Sequence, residues 1–308
     1  MLVSRAFEIN GTKQWIYIRL TLKPKGTLIF LHDGPGWADA PWAGAICRDI
    51  WSDFNTVHWD QRASNKSFSR HELMDRLTVP QLVDDGLKLI SILQHDYNLR
   101  SLILVGHGFG SLLSLLMIEA QPYEFKACLN IGQFVSSDLS EPALLEHTKK
   151  KAEGLGKQDF VQELTALGKD FYKDPVKVLR QREILFLLSG QFKGMIPEKE
   201  FFEMTQFSPT EYQSKTALIT TGFERSTMKL WNEILTYNLM DHPNILSETP
   251  FYLIQGSEDH FTPPEVVNTW FSSLNTKVKK KLIWFNRSGH WPHLEENKRF
   301  RDFLLKTF

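Results

Sequence analysis

Four short runs, residues 27–31, 54–59, 101–105 and 127–131, read as apolar strands with few charges, and helical patterns separate the later ones. Strands that read this way are buried on both faces, which requires a parallel sheet covered by helices. Residues 79–97 place Leu82, Leu87, Ile90 and Leu93 at helical spacing, with Pro80 in the first turn, where a missing N–H costs nothing. Residues 110–120 are apolar on nearly every side, as a helix packed against a sheet must be. Ahead of these, residues 5–9 and 14–20 alternate around Asn10-Gly11 and predict a hairpin.

The pattern breaks after residue 135. From 136 to 247 there is no apolar strand run, only amphipathic segments rich in Lys, Glu and Phe. Strand signals resume at 251–255 and 281–285, with helices expected near 264–274 and over 294–305. A chain of 308 residues is long for one compact unit and short for two. The expected organisation is therefore an α/β core from 1–135 and 248–308, carrying a helical cap over 136–247.

Lys plus Arg and Asp plus Glu both number 36, so the formal net charge is zero. That balance, with no basic block, argues against nucleic acid or an anionic membrane as partner. The lysines at 149–151 and at 277 and 279–281 read as solvated faces. Cys47 and Cys128 show no disulfide pattern, and residues 1–10 lack the apolar core of a signal peptide. No apolar stretch approaches the ~18 residues of a membrane span. A cytoplasmic protein acting on a small molecule or short peptide is expected, with oligomeric state left open.

Three segments carry chemistry, and each follows a predicted strand, where open α/β sheets bind ligands. LVGHGFGSLL (104–113) has the strand–turn–helix setting of a nucleophile elbow, G-x-S-x-G, but its central residue is Gly108. Gly106 and Gly110 fit a turn too sharp for side chains. FYLIQGSEDHFTPPE supplies Asp259, and IWFNRSGHWPHLEE supplies His290. The order 108, 259, 290 is nucleophile, acid, histidine, in which the acid orients the imidazole and the imidazole takes the proton. HDGPG (32–36) lies where one half of an oxyanion hole belongs, so the amides of Gly34 and Phe109 are the candidate donors.

Together HDGPG, DQRASNKS, GHGFGS, GSEDHFTP and SGHWPHLEE resemble the proline iminopeptidase-like branch of the α/β hydrolases, whose patterns are HGGPG, DQRGxGxS and GxSxGS. The resemblance covers roughly residues 7–134 and 250–308 and is weak across the cap. It implies an α/β-hydrolase fold and hydrolysis of a small amide or ester, with an N-terminal proline peptide or aminoacyl arylamide as substrate. A serine at 108 would attack, His290 would shuttle the proton and Asp259 would orient it. Glu224 or Glu233 in the cap would bind an α-ammonium, although either also reads as a solvated helix residue.

The departures are Asp33, Ala63 and Asn65 in place of family glycines, and Gly108 in place of the nucleophile. Three neighbours have changed besides position 108, which favours natural drift over one designed substitution. Asp33 brings a carboxylate to a predicted oxyanion donor and should oppose negative charge there. Asp60, Gln61, Arg62 and Ser67 match the family and are expected to hold their loop together. Ser111 lies one turn into the helix and cannot replace the nucleophile. His32, His107, His260 and His293 read as structural, and GHGFGS is a poor dinucleotide fingerprint, with Ser111 at its third glycine. No His, Cys, Asp and Glu grouping has metal-ligand spacing, so neither metal nor cofactor is expected.

Three outcomes follow: a hydrolase disabled at one position, a pseudoenzyme that binds a ligand in the old pocket, or an enzyme in which His290 activates water directly. Acyl transfer through position 108 is expected to be absent or very weak in all three.

Overall fold

A computed structural model describes residues 1–69, 76–191, 193–207, 212, 216–246 and 248–308. Residue 247, at the expected edge of the cap, and Phe192, one of its aromatics, lie outside them. Eight strands form one sheet in the order β1-β2-β4-β3-β5-β6-β7-β8. β1 (Leu2–Ile9) and β2 (Thr12–Arg19) make the hairpin, and β2 also runs antiparallel to β4 (Asn55–Trp59). The remaining neighbours are parallel: β3 (Thr27–Leu31), β5 (Leu102–Gly108), β6 (Ala127–Gln133), β7 (Phe251–Gly256) and β8 (Lys280–Phe285).

Every residue of β3, β4, β5, β6 and β7 is buried, the physical basis of the apolar runs in β3 and β5. Alternate side chains serve opposite faces. Ile29, Leu31, Leu102 and Leu104 join one core cluster, whereas Leu28, Phe30, Ile103 and Val105 join the other. Helices α2 (Val79–Asp96) and α3 (Phe109–Ala120) feed the first cluster. The short α1 (Ala43–Cys47) feeds the second.

Between β6 and β7 the described residues form helices and turns but no strand: α4 (Ser137–Gly154), α5 (Gln158–Ala166), α6 (Pro175–Leu187), α7 (Glu198–Glu203) and α8 (Thr216–Ile234). A lone bridge between Ser136 and Asn238 closes this segment at its base. After β7 come α9 (Pro264–Ser273), β8, α10 (Pro292–Glu295) and α11 (Asn297–Thr307).

The closing helix expected over 294–305 is thus two helices, broken at Glu296 (φ −119°, ψ 48°). The break has a function in the loop before it. Glu296 accepts from Ser288 Oγ (2.8 Å) and Arg287 N (3.1 Å), while Glu295 accepts from Gly289 N (2.9 Å) and Trp291 N (3.1 Å). Four hydrogen bonds to residues 287–291 therefore fix the loop that carries His290.

Candidate functional site

Gly108 ends β5 and caps α3 at φ +50°, ψ −116°, a conformation costly for residues with a Cβ. The flanking glycines are sterically required. A Cβ at Gly106 would stand 2.6 Å from the Gly110 carbonyl oxygen and 2.7 Å from Asn130 Oδ1, and one at Gly110 would overlap the Leu31 carbonyl. Ser111 points away from the pocket: its hydroxyl donates to Gly108 O (2.6 Å) and accepts from Phe134 N (2.9 Å).

Asp259 and His290 meet with Nδ1 2.9 Å from Oδ2, and both are buried. Asp259 is held from several sides. Oδ1 accepts from the amides of Phe261 and Thr262, each 2.9 Å, and Oδ2 accepts from Thr262 Oγ1 (2.6 Å) and Gln255 Nε2 (3.1 Å). Burial works to raise its carboxyl's pKa, but the charge and hydrogen bond of His290 and the Thr262 contacts outweigh it and hold the group ionised.

The other imidazole nitrogen faces a second carboxylate. His290 Nε2 lies 3.1 Å from Asp33 Oδ2, and Asp33 Oδ1 accepts from Phe109 N at 2.9 Å. A Cβ built at Gly108 would overlap Asp33 Oδ1. The carboxylate thus fills the space in which the resemblance puts a serine hydroxymethyl, and it occupies one of the two expected oxyanion donors. The expectation that Asp33 would merely oppose charge nearby understates its placement. Gly34, the other expected donor, lines the same pocket.

With carboxylates on both nitrogens, both must carry hydrogen. Burial alone would favour neutral imidazole, but Asp259 and then Asp33 overcome it and raise the His290 pKa to about 10. Burial likewise opposes the charge on Asp33, yet His290 holds its carboxyl far below the usual range. At neutral pH the site is an Asp–imidazolium–Asp array.

His107 sits beside it, ring centroids 4.6 Å from His290, with Nε2 2.8 Å from the His290 carbonyl oxygen. A carbonyl only accepts, so Nε2 carries the hydrogen and Nδ1 a lone pair. Burial, reinforced by the charge on His290, lowers its pKa to about 4, so it is neutral. One donor atom from each of Asp33, His107 and His290 lies within 4.8 Å of the others. Local spacing gave no sign of this group, because its members come from three separate places in the chain: the loop after β3, the end of β5 and the loop after β8.

Above the array lies a pocket walled by Trp37, Phe186, Phe223, Trp231, Phe261 and Trp291, enclosing about 70 Å³ of open space. An ion pair enters its wall: half-buried Arg182 on α6 binds buried Glu141 on α4 through Nη2 and lies over the Phe261 ring at 4.9 Å. Glu141 and Arg182, 41 residues apart, escaped sequence reasoning because neither belongs to a motif. The two cap glutamates singled out earlier are elsewhere. Glu224 lines an outer groove with Val176 and Met228, and Glu233 accepts from Val79 N (3.1 Å) at the start of α2.

The loop after β4 is held by its own residues. Arg62 binds Asp85 through Nε (2.8 Å) and Nη2 (3.0 Å), Ser67 Oγ donates to Asp60 O (2.5 Å), and Gln61 N donates to His32 Nε2 (3.2 Å). No helix among the described residues is long and apolar enough to cross a membrane.

A family profile described as "alpha/beta hydrolase fold" matches residues 26–297. A probable aminopeptidase, YbaC, of Bacillus subtilis (strain 168) is 25% identical over 307 residues, covering 99% of this chain and 95% of that one. The fold is similar to a proline iminopeptidase of Mycobacterium smegmatis (TM-score 0.65, 15% identity, 99% and 97% of the two chains). It is likewise similar to a proline iminopeptidase-related protein of Thermus thermophilus (TM-score 0.67, 18% identity, 99% and 96%).

Proposed function

The chain belongs to the α/β-hydrolase-fold family, and within it we propose a protein that has given up serine acyl transfer and holds a small, largely aromatic or apolar molecule in the former substrate pocket. The observation that carries this reading is the Asp33 carboxylate, which takes both the room above Gly108 and the amide of Phe109. A substrate carbonyl would find neither a nucleophile at 108 nor a free Phe109 donor. Loss of the nucleophile alone costs about 10⁶ in turnover in a well-studied serine protease.

The route in which His290 activates water is disfavoured on the same ground. An imidazole with a carboxylate on each nitrogen has no lone pair for a water proton. The aromatic walls and about 70 Å³ of space suit a ligand of a few heavy atoms or one ring inserted into the pocket. The Glu141–Arg182 pair and Asp33 offer polar contacts to orient it. Two buried free cysteines fit a reducing compartment, and we place the protein in the cytoplasm.

Fluorophosphonate labelling read by intact mass tests the reading without a guessed substrate. Three chains are compared: wild type, Gly108→Ser, and the double variant Asp33→Gly/Gly108→Ser. The wild type is expected not to label. Gly108→Ser should label at least ~10-fold more slowly than the double variant, because Asp33 stands where its hydroxymethyl must go. A wild type that forms an adduct sinks the proposal, as does a single variant that reacts as fast as the double.

A further inference from the structure

We propose that Asp33, His107 and His290 are the ligands of a divalent transition-metal site of the zinc type on the floor of the pocket. Their donor atoms, all within 4.8 Å of one another, converge from the ends of β3 and β5 and the loop after β8. Two imidazoles and one carboxylate suit zinc and its first-row neighbours rather than calcium or magnesium.

The surroundings are those of a metal site. A metal-bound histidine nearly always donates its other ring N–H to a carboxylate or a backbone carbonyl, which fixes the ring and its tautomer. His290 does so through Nδ1 to Asp259 (2.9 Å), and His107 through Nε2 to the His290 carbonyl (2.8 Å). Those contacts leave His107 Nδ1 and His290 Nε2 for an ion, which takes Nε2 by displacing to solvent the proton that this nitrogen carries in the metal-free array. Asp33 is anchored through Oδ1 by the Phe109 amide, and its Oδ2 stands 3.1 Å from His290 Nε2. Tetrahedral zinc with bonds of about 2.0–2.1 Å separates its ligand atoms by about 3.3 Å. The Asp33–His290 gap already meets that figure, and the widest gap, no more than 4.8 Å, closes by at most about 1.5 Å.

The departures from the family pattern converge on the same point. Glycine at position 33 supplies no ligand, and a serine side chain at 108 would fill the space that Asp33 now enters. Together the two changes replace a nucleophile with a donor set. The fourth position opens to the pocket, where water or an oxygen donor of the pocket's ligand completes the shell.

This inference goes beyond the loss of acyl transfer and fails separately from it, since labelling and metal binding are read independently. Chelator-stripped wild type is titrated calorimetrically with zinc chloride, and one saturable ion per chain is expected. Asp33→Asn and His107→Gln should each weaken binding at least ~100-fold. Asp259→Asn, which acts through His290, should weaken it ~10–100-fold. His242→Gln, on an exposed residue outside the pocket, should change nothing. Absence of saturable binding overturns the proposal, and so does an Asp33→Asn chain that binds as tightly as wild type. Cobalt(II) loaded into the wild type needs no variant to fold. Intense visible d–d bands of a four- or five-coordinate nitrogen and oxygen site are expected, and the weak spectrum of a six-coordinate aqua-like ion overturns the assignment.

Discussion

The loops after β7 and β8 hold Asp259 and His290 through many contacts, whereas the loop after β3 and the β5–α3 junction are joined at the site by one side chain, Asp33. Five groups bind the Asp259 carboxylate: two amides, a hydroxyl, a side-chain amide and the imidazole. Asp33 has two partners, Phe109 N and His290 Nε2. The first half is over-determined, so its geometry persists whether or not a reaction uses it. The second half depends on what stands at two positions, 33 and 108, where the resemblance implies glycine and serine. Retention of an acid–histidine pair is therefore poor evidence of turnover, because buried charges are hard to lose singly.

Asp259→Ala puts the largest strain on this contrast. It removes the inner carboxylate from a buried imidazolium and orphans the amides of residues 261 and 262. Breaking a buried pair by deleting one partner costs about 3–5 kcal/mol, to be read from the urea midpoint. Asp33→Asn keeps an acceptor for Phe109 N and should cost only about 1.5–3 kcal/mol, the scale of one charged hydrogen bond. Equal costs for the two variants would break the comparison.

Alkaline pH separates the halves more finely. In the folded chain the pKa of His290 is about 10, above its ordinary value of 6.5. Its ion pairs therefore contribute fully below pH 6.5, and the contribution is lost as pH rises from there through 10. Asp33 and Asp259 are shifted the other way, so their part is present above the ordinary carboxylate range and is lost on acidification. Asp60 adds a second decline at lower pH: burial raises it to about 8, so stability falls between about pH 4 and 8 as its unfolded form ionises. With a chelator present, wild type should lose on the order of a few kcal/mol between pH 6 and 10. Asp33→Asn should lose clearly less, and the difference isolates His290, since Asp60 is common to both. Parallel curves would show that Asp33 does not hold the proton on His290.

Much of this was legible in the sequence because it is local. Residues 27–31 and 101–105 read as strands through continuous burial, the glycines at 106 and 110 as an elbow through sterics, and 259 and 290 through their place after strands. What escaped depends on contacts across long separations. Asp33 and Phe109 are 76 residues apart, and Asp33 and His290 are 257 apart. No periodicity reports that a carboxylate in one loop enters the space above a glycine in another. The break at Glu296 was hidden for a related reason: the residues form a good helix pattern, and only the need to bind residues 287–291 interrupts it. Glu224 and Glu233 lie outside the lining of this pocket, and a helix pattern shows which residues are polar without showing which face meets a cavity.

The smallest effect concerns the loop after β4, where the resemblance implies glycines at 63 and 65. Ala63 sits at φ +63° and Asn65 at φ +38°, so the backbone is left-handed at both although neither is glycine. Alanine there costs roughly 1–2 kcal/mol in backbone strain. Glycine would relieve that but lose about 0.4–1 kcal/mol to the entropy of the unfolded chain. Ala63→Gly should thus stabilise by about 0.5 kcal/mol or slightly more. Asn65 tolerates the region better, and its Nδ2 donates to Asp60 Oδ2 at 3.1 Å. Asn65→Gly gives up that bond and should be neutral or slightly destabilising. If Ala63→Gly gains nothing, the drift at 63 has been compensated by packing around the buried methyl, and the loop after β4 belongs with the over-determined half of the molecule. A gain places it instead with positions 33 and 108, as a site that changed without being rebuilt.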